Sequence, residues 1–134
     1  MNLQPKKFKY KKVHKKKIRP LNFKSNKLSY GNFGLKSLEC GYITSKQIES
    51  TRQAISRKIK RKGKIWIKIF PHTPFTKKPS EIRMGKGTGN INYWGIKIKG
   101  GTVLFEIIGI KKKKAVKALK TGKAKLPIKT KIIS

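Results

Sequence analysis

The stretch Arg83-Met84-Gly85-Lys86-Gly87-Thr88-Gly89 concentrates the groups best suited to chemistry in this chain. Glycine at every second position lets a backbone approach another surface closely and offer its N–H groups, and Arg83 and Lys86 add charge that attracts phosphate oxygens. The same residues also fit a flexible hairpin tip. Neither the Walker-type loop nor the dinucleotide fingerprint is present, because the glycines have the wrong spacing, so nucleotide binding gains no support. Acid–base chemistry is poorly equipped. The acids are Glu39, Glu49, Glu81 and Glu106, with no aspartate, so a carboxylate pair could form only between residues distant in the chain. His14 and His72 are far apart and have no cysteine or carboxylate cluster beside them, which argues against a zinc site. Cys40, the single cysteine, cannot close an internal disulfide and reads as a small buried or half-buried filler.

Positive charge, by contrast, is abundant. The 134 residues carry 37 Lys plus Arg against 4 acids, a formal net charge of +33. Repulsion on that scale opposes a compact state and calls for a partner rich in phosphates; a free-standing enzyme acting on a small molecule, with or without a cofactor, is disfavoured. Lys outnumbers Arg by 32 to 5. Lysine lacks the planar fork that reads base edges, so affinity is expected from backbone phosphates, with shape fixing the register. The same bias, with abundant Ile and Asn, carries the mark of an A+T-rich genome.

The 36% hydrophobic content is enough for a core, and the length suits one domain. Residues 1–30 read as a basic arm, with Phe8 and Tyr10 among the lysines, disordered alone and ordered on a phosphate surface; residues 31–134 read as one α+β domain. No apolar run is long enough for a membrane helix, and the Lys-rich start is unlike a signal peptide, so a soluble, non-secreted protein is expected.

Within the domain, 33–43 alternates like a strand. Thr44 with Gln47 fits a capping box, and Ile48, Ile55 and Ile59 then share one helix face while Arg57, Lys58, Arg61 and Lys62 crowd the other, up to a stop at Gly63. Lys64 to Phe70 alternates as a strand. Residues 71–90 read as a long loop, too polar and too punctuated for regular structure. Residues 92–99 and 102–110 read as a hairpin around Gly100-Gly101, residues 111–122 as a second, very basic helix, and 126–133 as a closing strand. The sum is two helices packed on a mostly antiparallel sheet. Trp66 and Trp94 fit core or sheet-face positions, or stacking platforms. The Lys111–Lys114 run fits a solvated face or phosphate contacts.

Several segments, in order, resemble the bacterial-type L sixteen family of large-subunit ribosomal proteins: Asn2-Leu3-Gln4-Pro5-Lys6, Lys12-Val13-His14-Lys15, Phe33-Gly34-Leu35-Lys36, Ile43 to Glu49, and Lys62 to Ile67. Phe70-Pro71, Lys78-Pro79, Arg83 to Gly87, Tyr93-Trp94 and Lys125 to Lys129 continue the series. The resemblance implies a hammerhead-type α+β fold, no enzymatic activity, and a place in the large subunit beside the A-site tRNA, near the peptidyl transferase centre. The partners it implies are large-subunit rRNA, A-site tRNA and neighbouring ribosomal proteins. Candidate rRNA contacts are then Lys6, Lys7, Lys9, Lys11, Lys12, His14, Lys15, Lys16 and Arg19 in the arm, Arg57, Lys58, Arg61 and Lys62 on the first helix, and Lys77 and Lys78 beyond it. Arg83, Met84, Gly85, Lys86 and Gly87 would form a tRNA-proximal loop. His72 stands where the family usually has an acid, Thr88 where it usually has Lys, and the last helix is richer in Lys than bacterial examples. With no presequence ahead of the family start and the A+T signature, the expected setting is a mitochondrion-encoded ribosomal protein, with plastid or bacterial cytoplasm as alternatives. A basic protein that compacts nucleic acid without a fixed site is the competing reading.

Overall fold

The computed structural model describes residues 3–14, 22 and 25–134; Asn2, Lys15, Lys16 and Arg19 lie outside the described residues. The elements among the described residues, all from residue 33 onward, are β1 (Phe33–Ser37), β2 (Gly41–Thr44), α1 (Ser45–Lys58), β3 (Lys64–Ile67), β4 (Thr73–Lys77), β5 (Asn90–Ile98), β6 (Val103–Ile108), α2 (Lys112–Lys123) and β7 (Thr130–Ile133). The α+β class and the two helices are as expected, but the strands form two sheets. One has the order β3-β6-β1-β7 and the other β2-β5-β4, and the paired strands in both are antiparallel.

Thr44 caps α1 in both directions: its hydroxyl accepts from the Gln47 N–H at 3.3 Å, and its own N–H donates to Gln47 Oε1 at 2.9 Å. Ile48, Thr51 and Ile55 follow one turn apart and are fully buried. That face packs on α2, where Gly122 permits the approach. A Cβ built there would lie 2.7 Å from Ile55 Cγ1 and 3.3 Å from Thr51 Cγ2. Helix α1 also touches β2, β5 and β3, and α2 lies on β1 and β7, so the helix pair covers one face of the four-stranded sheet and reaches onto the other sheet. The core between them holds Leu35, Phe105, Ile107, Ala118 and Leu119, joined by Leu3 from the arm.

Non-local pairing overrides four local expectations. The 33–43 run is divided between the sheets. Ser37 donates its hydroxyl to the Lys99 carbonyl at 2.8 Å and Leu38 its N–H to the Lys129 carbonyl at 2.9 Å, and the chain crosses before β2. The hairpin around Gly100-Gly101 does not form. β5 and β6 belong to different sheets, and the turn, with Gly101 at φ 89°, sends the chain across. β6 explains this preference: Val103 to Ile107 are buried without a break, so both faces of the strand need cover, as a half-exposed hairpin strand would not. The expected loop 71–90 contains β4, whose Thr73 to Phe75 are buried, and the connection contracts to residues 78–89 at the tip of the β4–β5 hairpin. β3 ends at Ile67, before the Pro71 that would limit it.

The outer face of the four-stranded sheet is covered by residues 25–32. Val103 N–H donates to the Ser25 carbonyl and Asn32 N–H to the Ile107 carbonyl, each at 3.0 Å. Glu106, fully buried on β6, accepts from the N–H groups of Tyr30 at 2.7 Å, Gly31 at 2.8 Å and Ser29 at 3.2 Å. A carboxylate inside an apolar strand is thus satisfied by three backbone donors.

Candidate nucleic-acid interface

Residues 3–14, the described start of the segment read from sequence as an arm, have neither helix nor strand, yet three contacts tie them to the body. Leu3 is buried in the core, Phe8 lies 5.2 Å from Trp94 between ring centroids, and Lys12 Nζ donates to the Thr88 carbonyl at 3.2 Å. Between these anchors Lys6, Lys7, Lys9 and Lys11 are exposed, as are Lys12 and His14. The last contact brings the arm to the loop: Lys12, Val13 and His14 line a cleft of about 240 Å³ with Thr76 and Thr88.

The loop projects from the β4–β5 hairpin. Gly85, Lys86 and Gly87 are all left-handed, at φ 99°, 52° and 82°, and a Cβ on either glycine would meet no atom within 4 Å. The glycines are therefore required by backbone conformation, with open space around them. Arg83 to Thr88 are exposed and Met84 is fully so, while Lys78, half-buried at the base, donates Nζ to the Gly85 carbonyl and braces the turn; Lys77 is exposed at the end of β4.

At the far end of α1, some fourteen residues and roughly 20 Å from its cap, Arg57 and Lys58 are exposed on the last turn and Arg61 and Lys62 are exposed beyond it, so the four do not form the single helix face that the spacing suggested. The helix stops before the expected Gly63. Its cap is Ile59, after which Lys60 and Arg61 adopt left-handed φ of 53° and 59°, with Arg61 N–H donating to the Ser56 carbonyl at 3.0 Å. Sequence reasoning did not include Lys60 among the candidates. The turn sets Lys60 beside the start of α2, where the lysine-rich run begins.

A second feature missed from sequence is an aromatic and cationic ladder on the outer sheet face. Tyr30 stacks on Trp66 with centroids 5.9 Å apart and planes at 26°; Lys64 Nζ stands 5.1 Å from the Trp66 ring centroid and Lys68 Nζ 4.3 Å from that of Tyr30. Both tryptophans are half-buried on sheet faces, Trp66 in the four-stranded and Trp94 in the three-stranded sheet.

Three of the four carboxylates are engaged within the protein. Glu49 binds Arg52 through two oxygens at 2.7 and 3.0 Å and accepts from Gln53; the hydrogen bonds from Arg52, ahead of that from Gln53, hold its carboxyl at about 2. Burial pushes the Glu106 carboxyl upward, but the N–H donors of Tyr30, Gly31 and Ser29, with Lys68 at 3.9 Å, hold it net below the ordinary value. Glu39 is lowered by the hydrogen bond from the Lys129 side chain and then by that from the Lys129 N–H. Cys40 is half-buried and accepts from the Gly100 N–H at 3.4 Å, as a filler would. Among the described residues no group of three or more His, Cys, Asp or Glu side chains could hold a metal ion, and no helix is long and apolar enough to cross a membrane.

A folded body that keeps three of its four acids for its own hydrogen bonds and turns the lysines of residues 6–12, the 83–88 loop and the end of α1 outward has the charge layout of a polyanion binder. The chain belongs to the family described as ribosomal protein L16p/L10e, whose model matches residues 5–133. Relatives named "Large ribosomal subunit protein uL16" include those of Buchnera aphidicola subsp. Cinara cedri (51% identical; 98% of this chain, 96% of the relative) and Maricaulis maris (48%; 98% and 96%). The protein of that name from Gluconobacter oxydans is 50% identical, covering 98% of this chain and 95% of its own. These relatives are bacterial, and the family is a structural component of the ribosome, not an enzyme.

Proposed function

We propose that the chain is a structural constituent of the large ribosomal subunit, binding large-subunit rRNA through its arm, the end of α1 and Lys77 and Lys78, and presenting Arg83 to Gly87 toward the A-site tRNA. The observation that carries this reading is the contact between residues 3–14 and the loop: Lys12 bonds to Thr88, which brings the exposed lysines of that segment beside the projecting loop. A surface of that kind suits two polyanions meeting at one place, with rRNA along the arm and tRNA at the tip. The protein supplies charge neutralisation and position, and the chemistry of translation remains with the RNA.

Chemical footprinting of large-subunit rRNA with and without the full chain tests the first part. Protection of a few defined helices is expected, and a uniform, unlocalised footprint would establish the compacting reading instead. The tRNA part is tested by binding of A-site tRNA to subunits carrying Arg83→Ala with Lys86→Ala. The compartment belongs to the same proposal: the lysine bias supports a mitochondrial ribosome, and the bacterial relatives suit a ribosome of bacterial type. Detection in purified mitochondrial large subunits is the expected result, and recovery from bacterial or plastid ribosomes overturns that assignment.

A further inference from the structure

The lysine-rich surplus of the C-terminal third is not distributed evenly over the surface. Between the end of α1 and the start of α2 lies a cleft of about 500 Å³, into which Lys58, Lys60 and Lys62 open from one side and Lys111, Lys114 and Lys117 from the other. Its remaining lining is Ile59, Gly109 and Ile110, and no carboxylate contributes. Two observations set it apart from a solvated charged face. The wall that holds Lys60 and Lys62 is shaped by two consecutive left-handed residues without the glycine that would make such a turn free of strain. Within the four-lysine run, the spacing of one helical turn selects Lys111 and Lys114 for the cleft, while Lys112 and Lys113, also exposed, lie outside its lining.

We propose that this cleft is a dedicated binding site for one strand of RNA phosphodiester backbone, whose phosphates lie between the two walls of lysines. The proposal rests on the reading of the chain as an rRNA binder and locates a part of that binding separate from the arm and the loop. Six cations around one concavity repel each other when it is empty, and successive phosphates relieve that repulsion from within. The apolar floor of Ile59 and Ile110 excludes water from one side and so strengthens each ion contact. Lysine suits the purpose because it neutralises phosphate without selecting a base.

The test is the salt dependence of affinity for the full chain, measured on large-subunit rRNA and on an unrelated structured RNA. Lys111→Gln with Lys114→Gln is expected to lower the slope of log affinity against log salt by about two and to weaken binding roughly tenfold or more. Lys112→Gln with Lys113→Gln is expected to leave the slope within about half a unit of the parent. Lys111→Arg with Lys114→Arg should retain the parental slope, which separates lost charge from a damaged helix. Equal losses from the two glutamine pairs overturn the proposal. So does unchanged affinity for naked rRNA with impaired incorporation into subunits, which would give the cleft to an acidic segment of a neighbouring protein. Preference of the parent for large-subunit rRNA over the unrelated RNA judges the functional reading separately, because the contrast between the pairs is read on either RNA.

Discussion

At the scale of single residues, Glu106 joins residues 29–31 to β6 through three backbone hydrogen bonds. Glu106→Gln preserves volume but replaces one of the two accepting oxygens with a donor and removes the charge, so the three backbone N–H groups can no longer all be satisfied as they are; it is expected to cost about 2 to 4 kcal/mol, read as a lower urea midpoint at unchanged slope. Glu106, Glu49 and Glu39 all ionise more readily folded than unfolded, so their stabilisation is complete above the ordinary value of 4.5 and is lost as pH falls through the folded values, which for Glu49 is about 2. Thermal midpoints should show no carboxylate-linked change between pH 7 and 5 and should decline below about 4.5; a constant midpoint down to pH 2 would contradict this. Lys60, at φ 53°, is strained where Gly is not. Lys60→Gly is expected to stabilise by about 1 kcal/mol, whereas Lys58→Gly, at the last residue of α1, should destabilise by up to about that amount. Little of this was legible. A glutamate in the middle of Val103 to Ile107 is visible in the sequence, but its partners lie 75 to 77 residues away.

At the scale of elements, the helices were the most readable and the strand partners the least. The capping pair Thr44 and Gln47 and the Ile48–Ile55 face operate within a few residues, so local spacing determined α1. The connection after Phe70 read as loop because of its prolines, yet Pro74 sits within β4 opposite Trp94, on a strand whose other edge is unpaired among the described residues. Gly122 is a helix residue whose value is tertiary. Gly122→Ala gains about 1 kcal/mol of helix propensity but loses about 1 to 3 through overpacking against Ile55. Its melting temperature is therefore expected not to rise, where an exposed Gly→Ala change in a helix would raise it. For the loop, Arg83→Ala with Lys86→Ala should reduce A-site tRNA binding by subunits more than Lys112→Ala with Lys113→Ala, while leaving thermal stability within about 0.5 kcal/mol, since both side chains are exposed. Equal, mild effects would remove the special role of the loop.

At the scale of the whole molecule, +33 on 134 residues makes self-repulsion a global term that no single contact offsets. Screening should therefore stabilise the isolated protein: the melting temperature is expected to rise between about 10 and 150 mM salt, the range over which the screening length falls to about 8 Å. The same change weakens RNA binding, so stability and affinity should respond to salt with opposite signs. A protein whose stability is insensitive to salt would contradict the account. Bound RNA should act as salt does, raising the melting temperature by mass action while adding counter-charge. The two basic regions, arm with loop and the lysine cleft, lie toward opposite ends of α1 and can act on different parts of a folded RNA.

The sequence by itself determined the α+β class, both helices, the need for a phosphate-rich partner and, through its ordered motifs, the family. Those properties depend on composition or on periodicities only a few residues long. Tertiary structure alone decided that 33–43 divides between two sheets, that β5 and β6 part at Gly101, that Leu3 ties the arm to the core and that Lys111 and Lys114 face Lys58, Lys60 and Lys62. The physical reason is common to all four: each depends on which apolar surface a segment buries against, and that partner lies elsewhere in the chain.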